Sequence, residues 1–402
     1  MHAKAANSEC WSQKNKLMIY LDNAATSWPK APGVPDAITH FLTDIGANPG
    51  RSGHRLSIEA ARMVSTVREQ TAELFGASDP LRVVFTHNIT YAINIALRSL
   101  LRPGSHVVTS SVEHNSIIRP LNGLAASGVT FTAAACAPDG SLDPAAIEAA
   151  IRPDTVMIAV THASNVLGTL LPVDRIGRIA RERGLLMMAD AASTAGCVPI
   201  NMQTDTIDLL AFTGHKALLG PTGTGGVVIG ANVDSSLFQP VFQGGTGSRS
   251  AMETQPPFLP DLLECGTINT AGLAGLGAAL AWISRQGVAR LQQTCRAHAE
   301  QLIKGLTAIK GVTILGPHDA RQRTATIAFT IEGLSPSLAG QLLDERYGIL
   351  CRVGLHCAPR AHATAGTFPH GSIRFSPGVF TTTDEIGVAV NAVRCLTEEA
   401  CS

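Results

Sequence analysis

With 402 residues, 45% of them apolar and only 15% charged, the chain has the composition of a large, well-buried enzyme and not of a disordered segment. Lys plus Arg and Asp plus Glu balance at 31 each, which leaves no basic or acidic excess to suggest nucleic acid or a membrane surface as partner. The nine cysteines are scattered, odd in number and without a Cys-x-x-Cys pair, a pattern of reduced thiols that argues against a disulfide framework or a structural zinc site.

Residues 1–17 are polar, carry Lys4, Lys14 and Lys16 without an apolar core, and read as an extension without a secretory signal. The longest apolar-rich run, 273–283, is too short to span a bilayer, so a soluble cytoplasmic protein is expected. A short strand over 18–21 leads into the polar turn Asp22-Asn23-Ala24-Ala-Thr-Ser-Trp-Pro-Lys30. A second polar loop, 48–57, carries His54; an isolated loop histidine is more often solvated than functional. Helical periodicity follows over 57–75. The strand 82–86 then meets His87-Asn88-Ile89-Thr90, where Asn88 is the N-cap of a helix running to 97. Strand, polar turn and helix N-terminus form a natural seat for a phosphate, since free N–H groups and the helix dipole converge there. The next strand, 106–109, is followed by Glu113-His114-Asn-Ser116. Strands 131–136 and 155–160 bracket a helix over 144–151, and Thr161-His-Ala-Ser-Asn165-Val-Leu-Gly-Thr169 comes after the second.

Two apolar runs then end in charge. The run 185–190 closes on Asp190, and the strand 209–212 closes on Thr213, His215 and Lys216. The two charged residues are 26 positions apart, room for a crossover and a return strand, and parallel strands present their carboxyl ends along one edge. A lysine at such an edge loses hydration and with it part of its basicity, which suits bonding to an aldehyde. An aspartate beside it can keep a pyridine nitrogen protonated, and together these are the two groups a pyridoxal phosphate enzyme requires. The glycine-rich stretch 220–226 lacks the Gly-Lys-Ser/Thr ending of a nucleotide loop, and a strand over 226–229 follows it. Beyond Glu264-Cys-Gly-Thr267-Ile-Asn-Thr270, helices over 273–283, 288–308 and 335–346 alternate with strands 313–315 and 324–329, the pattern of a smaller α+β lobe. That part holds Cys351-Arg352-Val-Gly-Leu-His356-Cys357-Ala-Pro359 and Gly371-Ser-Ile-Arg374. A zinc site from His356, Cys357, His362 and His370 lacks paired ligands at structural spacing, so no metal is expected.

Thr213-x-His215-Lys216 before the Gly-Pro-x-Gly loop resembles the class V aminotransferase superfamily. The motifs in order from Tyr20 to about Val393 resemble its group II (Suf-type) cysteine desulfurases, chiefly through Arg352-x-Gly-x-His356-Cys357-Ala. The resemblance implies an α/β chain of pyridoxal phosphate transferase fold type I. Its large lobe, 18–270, would hold a mostly parallel seven-stranded sheet, and its small lobe, 271–402, would be joined by residues 18–35. It implies pyridoxal 5'-phosphate bonded to Lys216, with Asp190 on the ring nitrogen, His114 on the ring face and Asn165 donating to the ring oxygen. Asn88, Ile89, Thr90, Thr213 and His215 would take the phosphate, with Thr267 reaching the phosphate of a neighbouring subunit in a homodimer. Arg374 would clamp the substrate carboxylate, Asn23, Ala24, His54 and Arg352 would lie along the substrate, and Cys357 would take its sulfur. Ser193 stands where the family commonly has Gln, so one donor to the ring oxygen is shortened. The implied reaction is L-cysteine to L-alanine, the sulfur passing from Cys357 to an acceptor protein. The alternatives are a selenocysteine lyase, another aminotransferase or lyase of this fold, and a relative that binds cofactor without turnover.

Overall fold

The computed structural model describes residues 18–50 and 52–401; the extension expected over 1–17 lies outside them. Its centre is a seven-stranded sheet whose spatial order is Val83–Thr86, Gly225–Ile229, Leu209–Thr213, Leu186–Asp190, Thr155–Thr161, His106–Ser110, Thr130–Ala134. Gly225–Ile229 is antiparallel to both of its neighbours, and the other six strands share one direction. The mostly parallel seven-stranded sheet that the family resemblance implied is therefore present.

Strand alternation sends successive residues to opposite faces, and here both faces are buried. Val83, Val108, Ile158, Val160, Met187, Leu210 and Phe212 enter one core, while Val84, Val107, Met157, Ala159, Met188, Leu209 and Ala211 enter the other. Helices Ile89–Leu100 and Asn115–Leu124 cover the second face. Arg55–Phe75, Val173–Glu182 and Thr270–Gln286 cover the first. The glycines of the return strand are set by crowding: a Cβ on Gly225 would stand 2.9 Å from the Cα of Asn88, so the Asn88 turn lies directly on this strand. Helix Thr270–Gln286, the first past residue 270, buries Leu273, Leu276 and Leu280 in the core of the large sheet.

A separate core joins the chain ends. Ile19 and Leu21 pack with the antiparallel sheet Arg352–Gly354, Ser372–Phe375, Ile327–Ile331, Val312–Leu315 and with helices Val288–Thr307, Pro336–Tyr347 and Thr383–Cys401. Ile19–Tyr20 pairs in parallel with Ile349–Leu350, and Asp22 bridges Ser376. The strand expected over 324–329 begins only at Ile327. Thr324 instead gives its N–H to Gly168 at 2.9 Å, clasping the Asn165 loop to this second sheet. Among the described residues no helix is long and apolar enough to cross a membrane.

Candidate active site

Parallel order brings distant segments to one edge. Lys216, Asp190, Asn165 and His114 follow the carboxyl ends of four successive neighbours, Leu209–Thr213, Leu186–Asp190, Thr155–Thr161 and His106–Ser110. Asn88 leaves the end of Val83–Thr86 on the same side.

Lys216 is half-buried, and burial pushes its ammonium down to about 8, opposed by the charge of Asp190 and assisted by Arg374 and Arg352. A lysine so placed reaches its neutral, nucleophilic form near physiological pH. Asp190 is buried, and desolvation raises its carboxyl above the usual range. It accepts the N–H of Ala192 at 2.9 Å and the hydroxyl of Ser116 at 3.3 Å, yet no cation of the described residues contacts it. His114 caps helix Asn115–Leu124 by accepting the N–H of Ser116 on Nδ1 at 3.0 Å, which leaves Nε2 to carry the ring proton. Burial and the cations Lys216, Arg352, Arg119 and Arg374 push this imidazole down to about 4, so it is neutral at pH 7. Ser193 is half-buried and lines a cavity with Lys216, Asn23 and Ala24.

The residues expected to take the phosphate form a helix terminus. Asn88 Oδ1 accepts Tyr91 N–H at 3.2 Å, and the N–H groups of Ile89 and Thr90 stand in the first turn, where the helix offers no carbonyl. His215 packs against the N-terminal turn: its Nδ1 lies 3.1 Å from Thr26 Oγ1, and its carbonyl accepts the N–H of Ser27 at 2.9 Å and the ammonium of Lys30 at 3.0 Å. Burial, with Lys216 and Lys30, holds His215 down at about 4. The imidazole is thus neutral at pH 7. Thr213 is buried with its hydroxyl turned to the Thr224 carbonyl at 3.4 Å.

Across the cleft lies the cysteine turn. His356 and Cys357 have φ of 50° and 58°, the left-handed region that costs a non-glycine residue energy, and strain of this kind gathers at functional turns. The turn is held from three sides. Asn115 donates its N–H to the Cys357 carbonyl at 2.9 Å, Asn165 Nδ2 donates to the His356 carbonyl at 2.7 Å, and His356 Nε2 lies 3.2 Å from Ser372 Oγ. Cys357 itself is exposed, with Sγ 3.6 Å from Arg352 Nη2. Arg374 is fully buried: Nη1 donates to the Asn165 carbonyl at 3.0 Å and Nη2 pairs with Asp22 at 2.8 Å. Its Nε has no partner, and neither does Asn165 Oδ1.

Two of the expected residues stand apart. His54 is exposed and caps helix Arg55–Phe75, accepting Ser57 N–H at 3.3 Å. Thr267 is exposed beside Asn48, in a cavity of about 400 Å³ shared with His87, Tyr91 and Phe242. Four participants escaped the sequence reading. Ser116 bridges towards Asp190, Asp22 holds Arg374, Lys30 braces the lysine turn, and Glu113 sits fully buried beneath His114. Only Glu113 had a signal, a carboxylate next to a candidate histidine at a buried strand end.

Both oxygens of Glu113 accept the N–H of Thr161, at 3.0 and 2.9 Å, tying the His114 strand to the Asn165 strand. Burial pushes its carboxyl up to about 8. Such a group is protonated when folded and ionised when unfolded between roughly pH 4.5 and 8, so its contribution is complete at low pH and is lost as pH rises through that window. Glu113→Gln is therefore expected to leave stability near pH 5 almost unchanged and to lessen its fall towards pH 8. Urea midpoints at both pH values check this; an unchanged slope rejects it.

The edge fits pyridoxal phosphate. A buried Asp190 without a close ion pair among the described residues suits a protonated ring nitrogen, the helix terminus at Ile89 and Thr90 suits a phosphate, and a Lys216 lowered by burial suits bonding to an aldehyde. The fold and the charged residues gathered at this edge suit a pyridoxal phosphate enzyme. The chain belongs to the aminotransferase class-V family, whose model matches residues 19–388, and the cofactor of that family is pyridoxal phosphate. Among its relatives is a probable cysteine desulfurase of Methanothermobacter thermautotrophicus, 34% identical over 92% of each chain. The cysteine desulfurase IscS of Shewanella pealeana is 31% identical over 94% of this chain and 92% of its own. The apo structure of a cysteine desulfurase from Thermococcus onnurineus superimposes with a TM-score of 0.89 at 29% identity, covering 95% of both chains.

Proposed function

We propose that this chain is a group II cysteine desulfurase, taking L-cysteine to L-alanine and leaving the sulfur as a persulfide on Cys357. The observation that carries the reading is the Cys357 turn: an exposed thiol, held left-handed by Asn115 and Asn165, beside Arg352 and within electrostatic reach of Lys216. Bound pyridoxal phosphate supplies the sink for electrons at the substrate Cα. Arg374 takes the substrate carboxylate on the guanidinium N–H groups that Asn165 and Asp22 leave free. Lys216, its ammonium brought down to about 8, would move the proton at Cα in its neutral form, and His114 Nε2 would serve as a second proton carrier against the ring. Cys357 thiolate attacks the substrate sulfur. The Cβ–S bond breaks, its electron pair stays with the carbon fragment, and protonation there gives alanine.

Exposed Tyr91 and Phe242, with His87 edge-on to Tyr91 around the cavity that contains Thr267, support a homodimer in which Thr267 reaches the partner's phosphate site. The test of the reaction is wild-type protein with L-cysteine and a reductant, alanine and sulfide being quantified together. Equimolar release is expected. Sulfide without alanine, or neither product, overturns the assignment.

A further inference from the structure

From Cys357 a groove of about 350 Å³ runs outward between helices Ile89–Leu100 and Asn115–Leu124. It shares Thr90 and His114 with the residues proposed to hold the cofactor, then continues past them to Arg98 and Arg119. Thr90, Asn94 and Arg98 are spaced by four and share one helix face, so Arg98 lies two turns, about 12 Å, beyond Thr90. Arg119 leaves the facing helix one turn in. Both arginines are exposed, and neither forms an ion pair with a described residue. Asn94 Oδ1 accepts Arg98 Nε at 3.2 Å, which aligns that side chain along the helix. No Asp or Glu lines the groove, and Arg352 adds a third guanidinium at its head, 3.6 Å from the thiol.

Exposed arginines are ordinarily balanced by nearby carboxylates, because like charges facing one another repel. A channel lined by one sign, with a reactive sulfur at its end, concentrates partners of the opposite sign. We propose that this groove is the entry path of the sulfur acceptor, and that the acceptor presents its thiol on an acidic segment. The inference rests on the desulfurase reading above and names the chemistry of its partner. In the transfer, the acceptor thiolate attacks the outer sulfur of the Cys357 persulfide and a new S–S bond forms on the acceptor. The bond between that sulfur and Cys357 Sγ breaks, and Cys357 leaves as a thiolate beside Arg352. The sulfur changes carriers without net oxidation or reduction.

The test uses full-length cofactor-loaded enzyme and three small thiols of different charge: mercaptosuccinate, 2-mercaptoethanol and cysteamine. Cys357 is loaded with one equivalent of L-cysteine, and intact mass confirms the added sulfur. Each thiol is then supplied at equal thiolate concentration; the first removes the sulfur, and a second equivalent releases it as sulfide with formation of the small-molecule disulfide. At low ionic strength mercaptosuccinate is expected to react roughly 10-fold faster than mercaptoethanol and cysteamine slowest, with the spread collapsing at about 0.5 M salt. Arg98→Glu, which leaves every cation that acts on His114 in place, should form alanine in the loading step like wild type yet slow mercaptosuccinate and speed cysteamine. The milder Arg98→Gln and Arg119→Gln variants should each narrow the spread. A spread independent of thiol charge in wild type, or unchanged in the variants, overturns the proposal, as does a second copy found seated over both arginines. Failure to load sulfur on Cys357 overturns the desulfurase reading itself, and the mass measurement separates that result from a failure of the groove.

Discussion

Lys216→Ala is expected to lower alanine formation from L-cysteine by more than about 10⁴-fold, the loss of a positioned proton carrier accounting for roughly 10²–10⁴ of it. The remainder is the expected loss of the proposed covalent bond between Lys216 and the cofactor. The side chain is half-buried, and no ion pair or hydrogen bond of the described residues ties it down, so its removal leaves the surrounding network intact. The turn that carries it is fastened through other atoms, the His215 carbonyl taking hydrogen bonds from Ser27 and Lys30. The variant should consequently fold, bind pyridoxal phosphate weakly, and lack the visible absorbance of lysine-bound cofactor. Spectra before and after borohydride reduction read the bond directly, and retained absorbance or turnover would show that the cofactor is held elsewhere. In wild type, the charge state of a lysine brought down to about 8 makes the reaction rise with pH towards that value.

Cys357→Ala should reduce turnover of L-cysteine by about 10²-fold or more while sparing turnover of L-selenocysteine. Sulfur bonded to carbon needs a nucleophile to draw it off, and this exposed thiol beside Arg352 is the group placed to do so. Selenium leaves carbon more readily, so its departure depends less on the attacking thiol. The fold should tolerate the change: Cys357 is exposed, its backbone contacts are made by its carbonyl, and surface substitutions usually stay within about 0.5 kcal/mol. Equal loss on both substrates would place Cys357 in cofactor or substrate binding. Equal activity of variant and wild type on cysteine would remove it from the reaction and leave an aminotransferase or lyase of the same fold.

Much of this architecture was legible before any coordinates, because its signals are local. Buried parallel strands read as continuous apolar runs, as in 185–190 and 209–212, and a charge closing such a run marks the carboxyl edge where parallel sheets build sites. Asp190 and Lys216 were visible in this way, whereas His114 and Asn88 stood out only through the family motifs that follow strands 106–109 and 82–86. The cysteine turn was visible as a motif, and its geometry was not: φ of 50° and 58° at His356 and Cys357 arises from bonds to Asn115 and Asn165, more than 190 residues upstream.

Tertiary structure alone decided the rest. Asp22 and Arg374 are separated by 352 positions, and only the docking of the first strand onto the C-terminal sheet makes them a pair. Lys30, read as the end of a polar turn, braces the His215 carbonyl because the N-terminal segment folds back over the lysine turn. The strand expected over 324–329 lost its first three residues to a clasp on Gly168, since a bond to a distant carbonyl outweighed local β preference. Local sequence thus determined which segments become strands and helices and where charge meets their ends, because backbone preference and alternation act over a few residues. Strand order and long-range register decided which of those ends face one another, and that choice follows from burying both faces of one sheet, a condition no single segment can satisfy.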